Sequence, residues 1–97
     1  VSSTSKRYGC NEGFDPVWRK LEGEFVVFDK NSGDIYCFDR GTRELLQLLQ
    51  KDSLPAEAIE TRLSSILDVE PDEVLVGYVE SALRELARRE IISVSNT

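Results

Sequence analysis

The sequence predicts an α+β domain in which strands come first and helices follow, and three observations predict it. Residues 16–39 carry short β-branched and aromatic runs separated by glycine-containing turns, which is how antiparallel strands read. From residue 40 onward the apolar residues recur three and four apart, the period of amphipathic helices. The 97 residues, 40% hydrophobic and 31% charged, are enough for one small core and therefore one domain.

Residues 1–13, VSSTSKRYGCNEG, show no periodicity and read as a flexible N-terminal segment; residues 14–97 read as the domain. Val17 to Leu21 is the first and weakest strand. Glu22-Gly23 follows as a two-residue hairpin loop. Glu24 to Asp29, EFVVFD, is the second strand. A three-residue loop Asn31-Ser32-Gly33 is expected next, with Gly33 left-handed and Lys30 facing Asp34 as an opposite-charge pair. The third strand is Ile35-Tyr36-Cys37-Phe38. This register sets Phe28 opposite Tyr36 and Val26 opposite Phe38 on one face, with Phe25, Val27, Ile35 and Cys37 on the other. One face then packs on helices, and the other needs a cover, for which Trp18 and the N-terminal segment are candidates.

Asp39 is a good N-cap for a first helix whose stripe is Leu45, Leu46, Leu48 and Leu49. Ser53 is expected to cap a second helix, with Pro55 in its first turn and Ile59, Leu63, Ile66 and Leu67 buried. Pro71 at the first helical position opens a third and longest helix, running to about Arg89. Its stripe is Leu75, Val79, Ala82, Leu83 and Leu86. Asp72 and Glu73 near its start and Arg88 and Arg89 near its end complement the macrodipole. Ile91-Ile92-Ser93-Val94 is β-prone and reads as a short strand or wing. Two short helices, a longer one and a terminal wing make the expected architecture a winged helix-turn-helix with a three-stranded N-terminal sheet.

The chemistry that is missing narrows the function. The chain has no histidine, so no Ser-His or Cys-His pair can form, and the commonest general base is absent. The six glycines are scattered and form no phosphate-binding loop. Cys10 and Cys37 match no metal spacing and read as free thiols. The reading is therefore a protein with no catalytic role, no cofactor and no metal. No apolar signal segment opens the sequence and no ~20-residue apolar run exists, so a cytoplasmic chain is expected. Net charge is −6, and residues 52–97 carry ten acidic against four basic side chains. Asp72, Glu73 and Glu80 would repel phosphates from a recognition helix, while Arg84, Arg88 and Arg89 cluster at its far end. Nucleic acid is thus not the expected partner, although a winged-helix regulatory module is the alternative reading. A homodimer or adaptor using the apolar sheet face is a third.

What remains is a surface for a peptide. The third strand is expected at a sheet edge, where unpaired N–H and C=O groups can accept a guest strand. The candidate groove has Ile35, Tyr36, Cys37 and Phe38 on one wall and Val74, Leu75, Tyr78, Val79 and Ala82 on the other. For Leu75, Val79 and Phe38 a plain core role competes with this one. Asp72, Glu73, Glu80 and Glu85 around such a groove would favour a basic guest or simply serve solubility. Proline at Tyr36 would remove an N–H that the guest could use.

The stretch EFVVFDKNSGDIYCFDRGTRELLQLL resembles the core of the PqqD-like peptide chaperones, including the subgroup of the HPr-related systems and the precursor-recognition elements of ribosomal peptide biosynthesis. The matching residues are Val27, Ser32-Gly33, Phe38-Asp39, Leu48-Leu49, Ser53, Val79, Leu86 and Ile91-Ile92, and the resemblance covers residues 17–94. The chain departs from the pattern at Tyr36, where many relatives have histidine, and at Phe38-Asp39, where Leu-Asn is usual. The resemblance implies a binding module that holds the leader segment of a precursor peptide as an added strand. It further implies delivery to a modifying enzyme, often a radical SAM protein. An iron–sulfur cluster would then belong to that enzyme, because Cys10 and Cys37 cannot supply its ligands.

Overall fold

The computed structural model describes residues 6–96. The element order is β1 (Lys6–Cys10), β2 (Pro16–Leu21), β3 (Glu24–Asp29), β4 (Ile35–Phe38), α1 (Arg40–Lys51), α2 (Ala56–Leu67), α3 (Glu73–Arg88) and β5 (Ile92–Asn96). The described residues form a small α+β domain with three helices and two antiparallel sheets, one of order β2-β3-β4 and one pairing β1 with β5. Lys6–Cys10, expected within a flexible lead-in, is thus a strand, and the C-terminal strand joins it rather than the larger sheet. Tyr8 also bridges Leu54 through two main-chain hydrogen bonds. Residues 1–5 of the expected lead-in lie outside the described residues.

The β2–β3 hairpin turns on Glu22 and Gly23, both with positive φ (44° and 88°), as a type I′ turn requires. The β3–β4 connection corrects the expected loop. Asp29 N donates to Asp34 O and Gly33 N donates to Asp29 O, so four residues, not three, lie between a closing Asp29–Asp34 pair. The Asp29 carboxylate explains the difference. It accepts from the main-chain N–H groups of Asp15 and Asn31 and from the Ser32 hydroxyl, and it is buried. Lys30 reaches Asp15 instead of Asp34, at 3.8 Å.

That one extra residue shifts the register and inverts the pairing of the faces. Phe25 faces Phe38 and Val27 faces Tyr36, while Val26 faces Cys37 and Phe28 faces Ile35. The face carrying Phe25, Val27, Tyr36 and Phe38 packs on the helices. Trp18 belongs to it as well, paired with Val27 and with its ring 6.4 Å from that of Phe38. The other face has no cover among the described residues: Phe28 is 41% exposed, Leu21 58% and Ile35 67%. Trp18 and residues 6–13 therefore do not shield it.

Leu45, Leu46 and Leu49 of α1, Ile59 and Leu63 of α2, and Leu75, Val79, Leu83 and Leu86 of α3 form the core with Val27, Ile91 and Ile92. Asp39 caps α1, accepting from Thr42 N at 2.9 Å. Ser53 does not cap α2. Its hydroxyl and carbonyl instead receive the Arg7 guanidinium, and Pro55 sits at the cap position without a side-chain bond. Asp72 caps α3, accepting from Val74 N and Leu75 N, so Pro71 precedes the helix rather than opening it.

Candidate functional site

The site begins at an edge. β4 has β3 on one side, and among the described residues no main-chain hydrogen bond reaches its other side. The Asp29–Asp34 bond sets which groups lie there. Antiparallel pairs alternate between exchanging and not exchanging main-chain bonds. Counting from Asp34, Tyr36 and Phe38 turn their N–H and C=O toward β3. Ile35 and Cys37 turn theirs outward, so the open edge offers two donors and two acceptors.

Two side-chain contacts tie α3 and its C-cap to β4 and to the residue after it. At one end the Tyr78 hydroxyl donates to Asp39 Oδ1 at 2.7 Å, just beyond the last residue of β4. At the other the Arg89 guanidinium lies over the Tyr36 ring, 5.8 Å from its centroid. Tyr78, Ala82, Glu85 and Arg89 are spaced four, three and four apart and share one helix face. Ala82, the smallest of them, lies between the two anchoring contacts. Tyr36 and Phe38 stack with centroids 5.8 Å apart and planes 7° from parallel, giving the strand side an aromatic surface.

The Tyr78 anchor is tightly built. Tyr78 gives its one proton to Asp39, so the Thr42 hydroxyl, 3.2 Å away, donates to Tyr78. Burial raises the tyrosine, which with the neighbouring Asp39 charge is pushed up to about 12. Burial also acts to raise the Asp39 carboxyl, but hydrogen bonds from Thr42 N–H and Tyr78 more than offset this and hold it below the usual range. A Cβ on Gly41 would overlap the Tyr78 hydroxyl. Gly41 is therefore the residue that lets α3 approach the start of α1. The sequence reading missed it, although a glycine in the first turn of a helix carries an energetic cost that a close approach explains.

Of the nine expected groove residues, Tyr36 and Phe38 stack on each other, Tyr78 bonds to Asp39 just beyond them, and Ala82 packs half-buried against the core one turn along α3 from Tyr78. Val74 and Leu75 lie at one end, lining an open cavity of about 800 Å³ with Asp39, Gly41, Leu67 and Val69. Ile35 and Cys37 contribute their main chain, but their side chains lie on the uncovered outer face. Val79 is fully buried and lines no surface. Of the four carboxylates expected around the groove, Glu85 is consumed by Arg88 and Arg89 at 2.5 and 2.6 Å. Glu80 lines a separate cavity with Lys6 and Arg84.

Cys10 is half-buried, its Sγ 3.7 Å from Leu46 O, and burial pushes the thiol up to about 11, which makes it a poor nucleophile. Among the described residues no group of three His, Cys, Asp or Glu side chains could hold a metal ion, and no helix is long and apolar enough to cross a membrane. No family model, curated protein or solved structure matches this chain.

Proposed function

We propose that this chain is a winged-helix peptide-binding domain, a non-catalytic chaperone. It captures the leader segment of a ribosomally made precursor peptide by β-strand addition to β4. It then delivers the segment to a modifying enzyme, a radical SAM protein in one form of the reading. The observation that carries this is the open edge of β4, with side chains of α3 and its C-cap reaching Asp39 and Tyr36.

Physical economy supports a strand as the guest. Two outward N–H and two outward C=O groups can be satisfied by any extended backbone, while side-chain pockets give selectivity. The aromatic Tyr36–Phe38 surface and the small Ala82 leave room for the guest's alternate side chains. The order of three helices supports the winged-helix assignment, and Asp72 and Glu73 at the start of α3 speak against phosphate contact there.

A displayed library of random twelve-residue peptides tests the proposal, with amide exchange followed by NMR on the ¹⁵N-labelled protein. Selected peptides are expected to protect the Ile35 and Cys37 amides. Failure to select any peptide, or binders that leave both amides unprotected, overturns strand addition at β4.

A further inference from the structure

We propose that the guest strand is chemically polar along its length. At the end beside Phe38 and Asp39 it carries a bulky apolar side chain with a lysine or arginine next to it, and this pair seats in the cavity between the start of α1, the α2–α3 connector and the first turn of α3. The inference rests on strand addition at β4 and adds the identity of what is bound and the end at which it is anchored.

The cavity is continuous with the edge. Asp39 directly follows the last residue of β4 and lines the cavity, and Tyr78 lines the cavity while bonding to Asp39. A strand added to β4 and extended past Phe38 leads toward it, since Asp39 is the next residue of the chain. Its walls are apolar and uncovered: Val74 is 80% exposed and Val69 46% exposed, with Leu67 and Leu75 behind them. An aliphatic or aromatic side chain placed there removes these surfaces from water.

The charge of the rim sets the neighbouring residue. Asp39, Asp68, Glu70 and Asp72 line the cavity against a single Arg40. Asp39 and Asp72 are committed as helix caps. The Asp68 and Glu70 carboxylates have no hydrogen-bond or ion-pair partner among the described residues, Asp68 bonding only through its main-chain N–H to Ser64 O. Three carboxylates in excess attract an ammonium or guanidinium and repel a guest carboxylate. The opposite end of the edge carries Arg89 over Tyr36, with Arg88 beside it and Glu85 shared between them. Asp29, Asp34 and Glu90 surround Arg89 there, so that end is acidic too, but Asp29 is committed to the turn and Asp34 lies against the Tyr36 hydroxyl. Among the described residues no exposed aliphatic side chain lines that end, so the apolar walls of Val69 and Val74 pick the end at which the pair seats.

The test uses the random twelve-residue library against the full chain and against a Asp68→Asn, Glu70→Gln double variant. Both residues are exposed on the connector, so the variant is expected to fold. The expected result is enrichment of lysine or arginine beside a bulky apolar residue. Synthetic copies of those peptides should bind the variant about three- to tenfold more weakly, as loss of two exposed charges implies. A spin label at their basic end should broaden Val69 and Val74 and spare Arg89. Peptides that protect Ile35 and Cys37 yet show no basic preference and bind the variant equally overturn this inference and leave strand addition standing. Basic peptides that shift Val74 without protecting Ile35 and Cys37 overturn it too, because the pair is then not on an added strand. If no peptide protects the edge, both readings fall together. Val74→Lys is the second variant, expected to abolish selection of the apolar–basic pair while the edge still accepts other strands.

Discussion

The Tyr78 hydroxyl fixes where α3 stands relative to the end of β4, and Gly41 is what permits it. Glycine in a helix ordinarily costs about 0.5–1 kcal/mol relative to alanine. Gly41→Ala should nonetheless destabilise the protein, because the new methyl displaces the Tyr78 ring from Asp39. In a Tyr78→Ala background the same change should become neutral or stabilising, and denaturant melts of the four proteins measure this coupling directly. A second residue, Asp29, links the hairpin to pH. Burial acts to raise its carboxyl, but bonds from Asp15, Asn31 and Ser32 prevail and its pKa lies below the ordinary value of 3.8. The unfolded chain then takes up this proton before the folded one does. The stabilisation is complete above the ordinary value and is lost as pH falls through the folded one. The melting temperature is expected to hold above about pH 5 and to drop below about pH 4. Asp29→Asn should lower it at neutral pH and flatten the acid decline.

At the scale of elements, β4 shows what one residue of register decides. The pattern EFVVFD…IYCF identifies both strands, and the structure keeps their boundaries at Glu24–Asp29 and Ile35–Phe38. It does not identify the faces, because both are partly apolar and alternation alone cannot choose between registers. The choice was made by the Asp29 side chain, which accepts from the Asn31 N–H and the Ser32 hydroxyl in the turn and from the Asp15 N–H across the hairpin, contacts that strand patterning does not encode. The helices were more legible. Leucine and isoleucine spacing located all three, and Asp39 read correctly as a cap because its local signal needs no distant partner. Ser53 read wrongly because Arg7, 46 positions away, takes its hydroxyl. The register also moves the proline test. Tyr36 turns its N–H toward β3, so Tyr36→Pro should break the hairpin and lower stability. Cys37 turns its N–H outward, where proline is tolerated on an edge strand. Cys37→Pro is expected to leave the melting temperature within a few degrees of the parent while abolishing protection of the edge by selected peptides. A variant that still binds them with unchanged affinity rules the edge out as the docking site.

For the whole molecule, the least legible feature is the one that joins its two ends. Lys6-Arg7-Tyr8-Gly9-Cys10 has neither alternation nor a β-branched residue, and its strand conformation comes from Ile92–Asn96, more than 80 positions away. Such a pairing is visible only once the helices have brought Ile91 and Ile92 into the core beside Leu54. Both isoleucines are 2% exposed, so the β1–β5 ribbon is held to the helices by burial of its inner side chains rather than by its own hydrogen bonds. A two-stranded ribbon alone is marginal in water. Ile92→Ala should therefore cost about 2–4 kcal/mol. It should also release the amides of β1 and β5 to exchange together, since neither strand has another continuous partner. The β2-β3-β4 sheet draws its support from Phe25, Val27 and α1 instead, so its amides should stay protected in the same variant. Exchange of β1 that stays slow while β5 opens would show that the Tyr8–Leu54 bridge alone secures the N-terminal strand. Concerted opening, with peptide capture at β4 intact, would establish that the ribbon closes the fold without taking part in the edge.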